Sequence, residues 1–282
     1  MFESNIIKIN DDEFFELIDI IYKFSGLTFK SSKKYLIEYK LSGILNEKNF
    51  TSFKDYIYLL KYPTFNKAEI KQLINSVSIN ETYFFREKSQ IDHVVNNIIP
   101  ALVKNGKKKF RIWSAACSSG EEVYSILMSL NEAGLLNRYN FEILGTDINS
   151  NTIAKAIKGE YKKNSFRGEQ NSFISKYFTE KNSLYYIRDD IKKLATFHNI
   201  NLFEPRIKHM IGKVDILFCR NILIYFDLEG KKKITGIFFD ILDDNGILLL
   251  GHAETLSRVS ECYLLSNFKG GSLYTKVRNK MG

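Results

Sequence analysis

Proline is nearly absent from this chain, three residues in 282, and cysteine is equally scarce at three. Cys117, Cys219 and Cys262 are an odd number without metal-ligand spacing, which excludes a disulfide framework and a zinc site and fits reduced thiols in a reducing compartment. No apolar run approaches the ~18 residues of a membrane span, and the opening MFESNIIKIN lacks the charged-then-apolar layout of a secretory signal. The expectation is a soluble, cytoplasmic protein with no metal and no direct membrane insertion. Missing too is G-x-G-x-x-G, the fingerprint that seats a pyrophosphate on a helix N-terminus.

What is present is ample core material, with 44% hydrophobic and 14% aromatic residues. The length fits about two domains. A net charge of +9 suits an acidic partner, but the lysines fall in short dispersed clusters such as 107–109 and 231–233. That dispersion reads as solvated surface lysine rather than a nucleic-acid stripe, so no nucleic-acid partner is expected.

The chain is organised around residues 111–128, RIWSAACSSGEEVYSILM. The pattern predicts a buried strand over 111–115, a small-residue turn over 116–120, and a helix opening on Glu121 and Glu122. Small side chains leave the turn's amides open to a ligand. Two carboxylates directly after Gly120 would repel a pyrophosphate; they suit a ligand carrying a cation, such as S-adenosylmethionine. The macrodipole alone would also favour acids at this helix start.

Before this stretch, periodicity predicts four helices: residues 11–25 stopped by Gly26, 32 to about 45, one capped by Thr51 and ending before Pro63, and one capped by Asn66 and reaching about Val77. The polar Asn80 and Thr82, the pair Phe84 and Phe85, then Arg86 and Glu87 lead into a helix to about Val103. After it, residues 141–146 form a second buried strand ending in Asp147, placed to take ribose hydroxyls. Asn149 or Ser150 caps the next helix. Residues 184–188 and 194–198 read as two short strands of a small antiparallel insertion, which joins a short helix through 179–183. The α/β pattern resumes with a strand over 214–218 that delivers Cys219, Arg220, Asn221 and then Tyr225 to the carboxyl end, where ligands bind. A helix over 229–242, a turn at Asn245-Gly246, a strand, then His252 and Glu254 follow; 263–265 and 273–277 close the domain as an antiparallel pair. Cys117 and Cys219 lack a histidine partner and read as wall residues, and His252 reads as structural.

Four pieces in this order, NETYFFRE, WSAACSSGEEVYSI, GTDIN and FCRNILIYFD, with HAETL near the end, resemble the chemotaxis receptor methyltransferases of the CheR type, across nearly the whole chain. The resemblance implies an α/β fold: a doubly wound Rossmann-like S-adenosylmethionine methyltransferase sheet with a small antiparallel β insertion at about 170–200. It also implies an all-helical, substrate-docking domain over 1–78 and a methyltransferase domain over 79–282. The implied activity is transfer of the methyl group of S-adenosylmethionine to glutamate side chains on the cytoplasmic helices of methyl-accepting chemotaxis receptors. Carried over by motif, Asn80, Thr82, Arg86, Glu122, Asp147, Asn201, Leu202, Arg220 and Asn221 would bind the cofactor, and Arg86 and Tyr225 would face the transferred methyl. Lys33, Lys34 and Lys40 on the second helix are an expected docking face for clustered receptor glutamates. A glutamate with a reference pKa of about 4.3 is already ionised at neutral pH, so attack needs alignment and loss of water more than a base.

Two departures from the family pattern stand out. Members that grip a peptide at the receptor's C-terminus carry a longer, glycine-containing hairpin, whereas residues 179–183 are short and lack glycine, which argues against such a tether. Val123 stands where proline is frequent, a harmless change at a helix start. A nucleic-acid methyltransferase would want a Pro-Pro-aromatic turn where this chain has Cys219-Arg220-Asn221-Ile222. A non-catalytic cofactor-binding signalling module is the other alternative, against which stand the retained Arg86, Asp147 and Tyr225.

Overall fold

Asn10 and Glu13 open the first helix with a reciprocal capping box: Glu13 N donates to Asn10 Oδ1 at 2.8 Å and Asn10 N to Glu13 Oε2 at 3.0 Å. Helix α1 (Asp11–Ser25) stops at Gly26, whose φ of 73° makes the left-handed cap that a side chain would resist. A 3₁₀ turn (Ser31–Lys33) precedes α2 (Lys34–Glu47); α3 (Phe53–Leu60) and α4 (Lys67–Val77) follow. Each turns an apolar stripe inward, Phe14, Leu17 and Ile21 on α1 meeting residues such as Ile57 and Leu73 in one small core. The computed structural model describes residues 6–62, 66–168 and 171–277, and Pro63, expected to follow the third helix, lies outside them. The cap of α3 is Ser52 rather than Thr51, because the Ser52 hydroxyl is the one that meets Asp55 N.

By its contacts the chain forms two compact units, 1–79 with 225–230, and 80–224 with 231–282. The segment 225–230 is held in the helical unit by Thr28, whose backbone N and Oγ1 both donate to Tyr225 O at 3.0 and 2.9 Å, and by Tyr22, whose hydroxyl donates to Asp227 at 3.0 Å.

In the second unit, α5 (Lys88–His93) runs through a π-wound stretch (Val94–Ile98) into α6 (Ile99–Lys104). Pro100, with no N–H to give, sits at the junction where the winding changes. Strand β1 (Lys109–Ala115), α7 (Glu121–Glu132), β2 (Asn140–Asp147), α8 (Ser150–Lys158), β3 (Glu160–Tyr161), α9 (Asn171–Tyr177), β4 (Phe178–Lys181), β5 (Leu184–Ile187), α10 (Asp189–Lys192) and β6 (Ala195–Asn199) come next. Then follow α11 (Ile207–Ile211), β7 (Val214–Cys219), α12 (Leu228–Ile241), β8 (Leu242–Leu250), β9 (Tyr263–Phe268) and β10 (Gly271–Lys276).

The main sheet has the order β6-β2-β1-β7-β8-β10-β9, parallel except for β10. Every residue of β7 is buried, as a strand covered on both faces must be. The small sheet, β3-β5-β4, is antiparallel. One expectation is corrected here. The strand predicted over 194–198 is not part of the small insertion but the outer parallel strand β6, pairing Ile143 with Ala195 through Asp147 with Asn199. The small sheet takes its third strand from residues before the insertion, β3. Asn245-Gly246 is likewise no separate turn: it lies in a bulge of β8, where the β7 partner register jumps from Val214–Leu242 to Ile216–Ile247.

Candidate functional site

In β1 the small residues at the carboxyl end, then Ala116 to Gly120, make the sharp exit that the strand-to-helix crossing needs. Ala116, Ser118 and Gly120 all take positive φ, at 60°, 51° and 89°. At Gly120 a Cβ would come within 2.9 Å of Ala156 Cβ and 3.0 Å of the Phe197 ring, so both conformation and space demand glycine. The carboxyl ends of β1, β2, β7 and β8 lie side by side at the point where the connections diverge, β1 leading to β2 on one side and β7 lying on the other.

Asp147 ends β2, buried, with Oδ2 accepting from Ser118 N and Oδ1 from Asn149 N, both at 2.8 Å. Burial pushes its carboxyl above the ordinary 3.8, against the pull of the Asn149, Ser118 and Ile148 amides. The helix cap itself is Asn149, whose Oδ1 accepts from Asn151 N and Thr152 N, so Asp147 is not used up as a cap. Ser118 Oγ donates to Asn80 O at 3.0 Å, bringing the NETYFFRE segment against the turn.

Arg220 follows β7 with a side chain only 2% exposed, which rules out a surface ion pair. Its Nε donates to Glu122 Oε2 at 2.6 Å, while Glu122 Oε1 accepts from Ser114 Oγ at 2.6 Å. Its Nη1 reaches Glu87 O and Gln90 Oε1 at 3.4 Å. Asn221, at φ 60°, donates from Nδ2 to Glu87 Oε1 at 3.2 Å. Glu87 Oε2 is buried without a hydrogen-bond donor, with Arg220 Nη1 at 3.6 Å. Glu254 accepts from three amides, Asn221 N and Leu223 N at 2.7 Å and Gly251 N at 2.8 Å, and so joins the loops after β7 and β8.

The second unit therefore holds two bonded groups at these strand ends, Asn80 with Ser118 and Asp147, and Glu122 with Arg220, Glu87 and Asn221. Asn201 and Leu202 stand just beyond β6, tied to Asp147 through Ile200 N, which donates to Asp147 O at 3.0 Å. Arg86 Nη1 donates to Glu81 O at 3.0 Å and its guanidinium lies 5.8 Å from the Tyr83 ring centroid; Thr82 is half-buried between them in sequence. Tyr225 is counted with the helical unit. Burial holds the Cys117 and Cys219 thiols well above their ordinary value, in keeping with wall residues. His252, half-exposed, has Nε2 3.2 Å from Gly270 O and forms no triad.

Two of the three lysines expected to form a docking face make contacts within the helical unit. Lys34 Nζ pairs with Asp11 at 2.6 Å, and Lys40 Nζ donates to Val77 O and Ser78 O at 3.2 Å, closing the end of α4. Lys33 stays exposed. Sequence reasoning missed Glu87, Gln90, Ser114, Ser118 and the clamping role of Glu254. For Glu254 a signal existed: an acid a few residues past a buried strand, in a loop that must satisfy its own amides. A cavity of about 360 Å³ opens at the opposite, amino ends of the strands, where Lys107 already pairs with Asp215 and, at 3.5 Å, Asp243.

A family profile described as "CheR methyltransferase, SAM binding domain" matches residues 80–269, and one described as "CheR methyltransferase, all-alpha domain" matches residues 12–78. The chain is 34% identical over 275 residues to "Chemotaxis protein methyltransferase 2" of Vibrio cholerae, covering 96% of this chain and 95% of that protein. It is 36% identical over 257 residues to the "Chemotaxis protein methyltransferase" of Borreliella burgdorferi, with 89% and 90% covered. Against the protein of the same name in Campylobacter jejuni the identity is 34% over 242 residues, with 86% and 87% covered.

Proposed function

The chain belongs to the CheR methyltransferase family, and from that premise we propose that it methylates glutamate side chains on the cytoplasmic helices of chemoreceptors, leaving glutamate methyl esters. The coarser activity is that of a chemotaxis protein methyltransferase with S-adenosylmethionine as cofactor.

The observation that carries the reading is the charge of the cluster. Glu87, Glu122, Asp147 and Glu254 outnumber the guanidinium groups of Arg86 and Arg220, and Glu87 Oε2 is buried without a donor. Such a cradle fits a ligand bearing an ammonium and a sulfonium and repels a pyrophosphate. When bound, that ligand supplies an electrophilic methyl group. Asp147 takes the ribose hydroxyls, Glu122 and Arg220 with Asn221 hold the cluster's shape, and Asn80 and Thr82 line the methionine end. Asn201 and Leu202 flank the adenine. By family motif, Arg86 and Tyr225 would orient the incoming receptor carboxylate toward the methyl that the cofactor supplies.

Lys33 is the one expected docking lysine left at the surface, and Lys33→Glu raises the apparent KM for receptor without changing cofactor affinity. No tether to a receptor tail is expected. Asn182 and Ser183 turn the β4–β5 hairpin in two left-handed residues, φ 53° and 59°, leaving no further loop to grip a peptide.

The test is calorimetric titration with S-adenosylhomocysteine followed by radiolabelled methyl transfer to receptor cytoplasmic fragments. Binding with base-labile label supports glutamate O-methylation; binding without label on any receptor fragment favours a sensing module. Arg86→Ala retains part of the binding and loses most transfer, and unchanged turnover would reject its role.

A further inference from the structure

β9 is the outer strand of the main sheet, paired on one side with β10 and on the other with no strand among the described residues. Val277 N donates to Cys262 O at 2.9 Å, which fixes the phase of the ladder. Hydrogen-bonded positions alternate along an antiparallel pair. Cys262, Leu264, Ser266 and Phe268 therefore direct their backbone groups to β10, while those of Tyr263, Leu265 and Asn267 point to the open edge.

The edge lacks the devices that normally blunt one. YLLSNF contains no charge and no proline, and Leu264 and Leu265 are 55% and 53% exposed. Charge stands only at its flanks, with opposite signs: Glu261 four residues before Leu265 and Lys269 four residues after it, both exposed.

We propose that β9 pairs with β9 of a second copy of this chain, antiparallel about a two-fold axis at Leu265. Only outward-pointing positions can exchange hydrogen bonds, and a two-fold axis at any residue from Tyr263 to Asn267 meets that condition. Centred on Leu265, the pairing sets Leu265 against its own copy, Tyr263 against Asn267, and Glu261 against Lys269 at both ends. Centred on Tyr263 or Leu264, Glu261 meets Leu265 or Asn267; centred on Ser266 or Asn267, Lys269 meets Tyr263 or Leu265. Charge thus selects the Leu265 register, and about six inter-strand hydrogen bonds follow from it. The contact is isologous and closes at two copies. On a chain of net charge +9 this is a self-contact that sets each lysine on an acid rather than on another lysine.

Sedimentation equilibrium of the full chain, over a wide concentration range, tests this. Wild type is expected to be a monomer–dimer system. Glu261→Lys and Lys269→Glu, both at exposed positions and each checked for fold by circular dichroism, weaken the dimer about tenfold or more, because each sets like charges face to face twice. The double variant Glu261→Lys/Lys269→Glu restores wild-type association, which a merely destabilising change could not do. Wild type that stays monomeric throughout, leaving the edge to an extended segment of some other protein, overturns the proposal. A dimer indifferent to both single charge reversals overturns it as well.

Discussion

Replacing Glu254, the acid of HAETL, by glutamine changes one atom, yet the structure assigns it a large effect. Its carboxylate accepts from the amides of Asn221, Leu223 and Gly251 at 2.7, 2.7 and 2.8 Å, in a residue only 9% exposed. Glutamine can keep its oxygen toward Asn221 N and Gly251 N, but its amino group then faces Leu223 N, donor against donor. Losing one charge-assisted bond and leaving a buried amide unsatisfied costs about 2–4 kcal/mol. At about 2–4 °C per kcal/mol for a unit of this size, 3 kcal/mol lowers Tm by about 6–12 °C. The binding consequence follows from Asn221, held at φ 60° between Glu254 and Glu87. Released, it relaxes toward ordinary backbone, and affinity for S-adenosylhomocysteine falls about tenfold, a coupling of ~1.4 kcal/mol. Thermal unfolding by circular dichroism and calorimetric titration read the two effects. A Tm within about 2 °C of wild type with unchanged affinity would refute the clamp.

The buried Asp147 makes cofactor binding depend on pH. Its carboxyl titrates above the ordinary 3.8 and must be ionised to accept ribose hydroxyls, so affinity declines as pH falls through that raised value; Asp147→Asn removes the decline and binds weakly at every pH. For stability the sign is opposite. A raised carboxyl favours the folded state fully below the unfolded value and loses that advantage as pH rises through the folded one; Asp147→Asn removes this pH dependence but sets its amino group against the Ser118 or Asn149 amide, so it lowers Tm at pH 7 in thermal melts. Gly120→Ala forces φ 89° on a residue with a Cβ and presses it against Ala156 and Phe197, which lowers stability by about 1–3 kcal/mol in urea unfolding and weakens binding with it. Lys40→Ala removes the Nζ bonds to the Val77 and Ser78 carbonyls and lowers the melting temperature, while receptor methylation in the folded protein stays unchanged; a raised receptor KM would return Lys40 to the docking face.

The helices and strands were legible because their apolar periods are long and their stops are sharp: Gly26 after α1, the nearly continuous apolar run of β7, the small-residue turn after β1. The bonded partners in the site were less so. Arg220 with Glu122 joins residues far apart in the chain, and only the crossing of β1 and β7 sets them together. Residues 194–198 alternate like any short strand, and alternation cannot say which neighbour a strand will take; parallel pairing with β2 put them in the main sheet. Lysines on α2 show charge in the sequence but not reach. Their long stems bring Lys34 to Asp11 and Lys40 to the end of α4, contacts that depend on which helix packs beside which.

The six residues 225–230 have a bearing on how this protein could be taken apart. They leave the methyltransferase unit after residue 224, are bonded through Thr28 and Tyr22 into the helical unit, and return at residue 231. With the junction at 79–80, the backbone passes between the units at three places. A helical unit attached by one linker could be exchanged between relatives or deleted by a single cut. Here deletion of the first 79 residues would strip Tyr225 of the bonds that fix its carbonyl, so recombination at the amino-terminal boundary alone transplants an incomplete piece. A workable chimera must carry 225–230 from the same parent as the four helices.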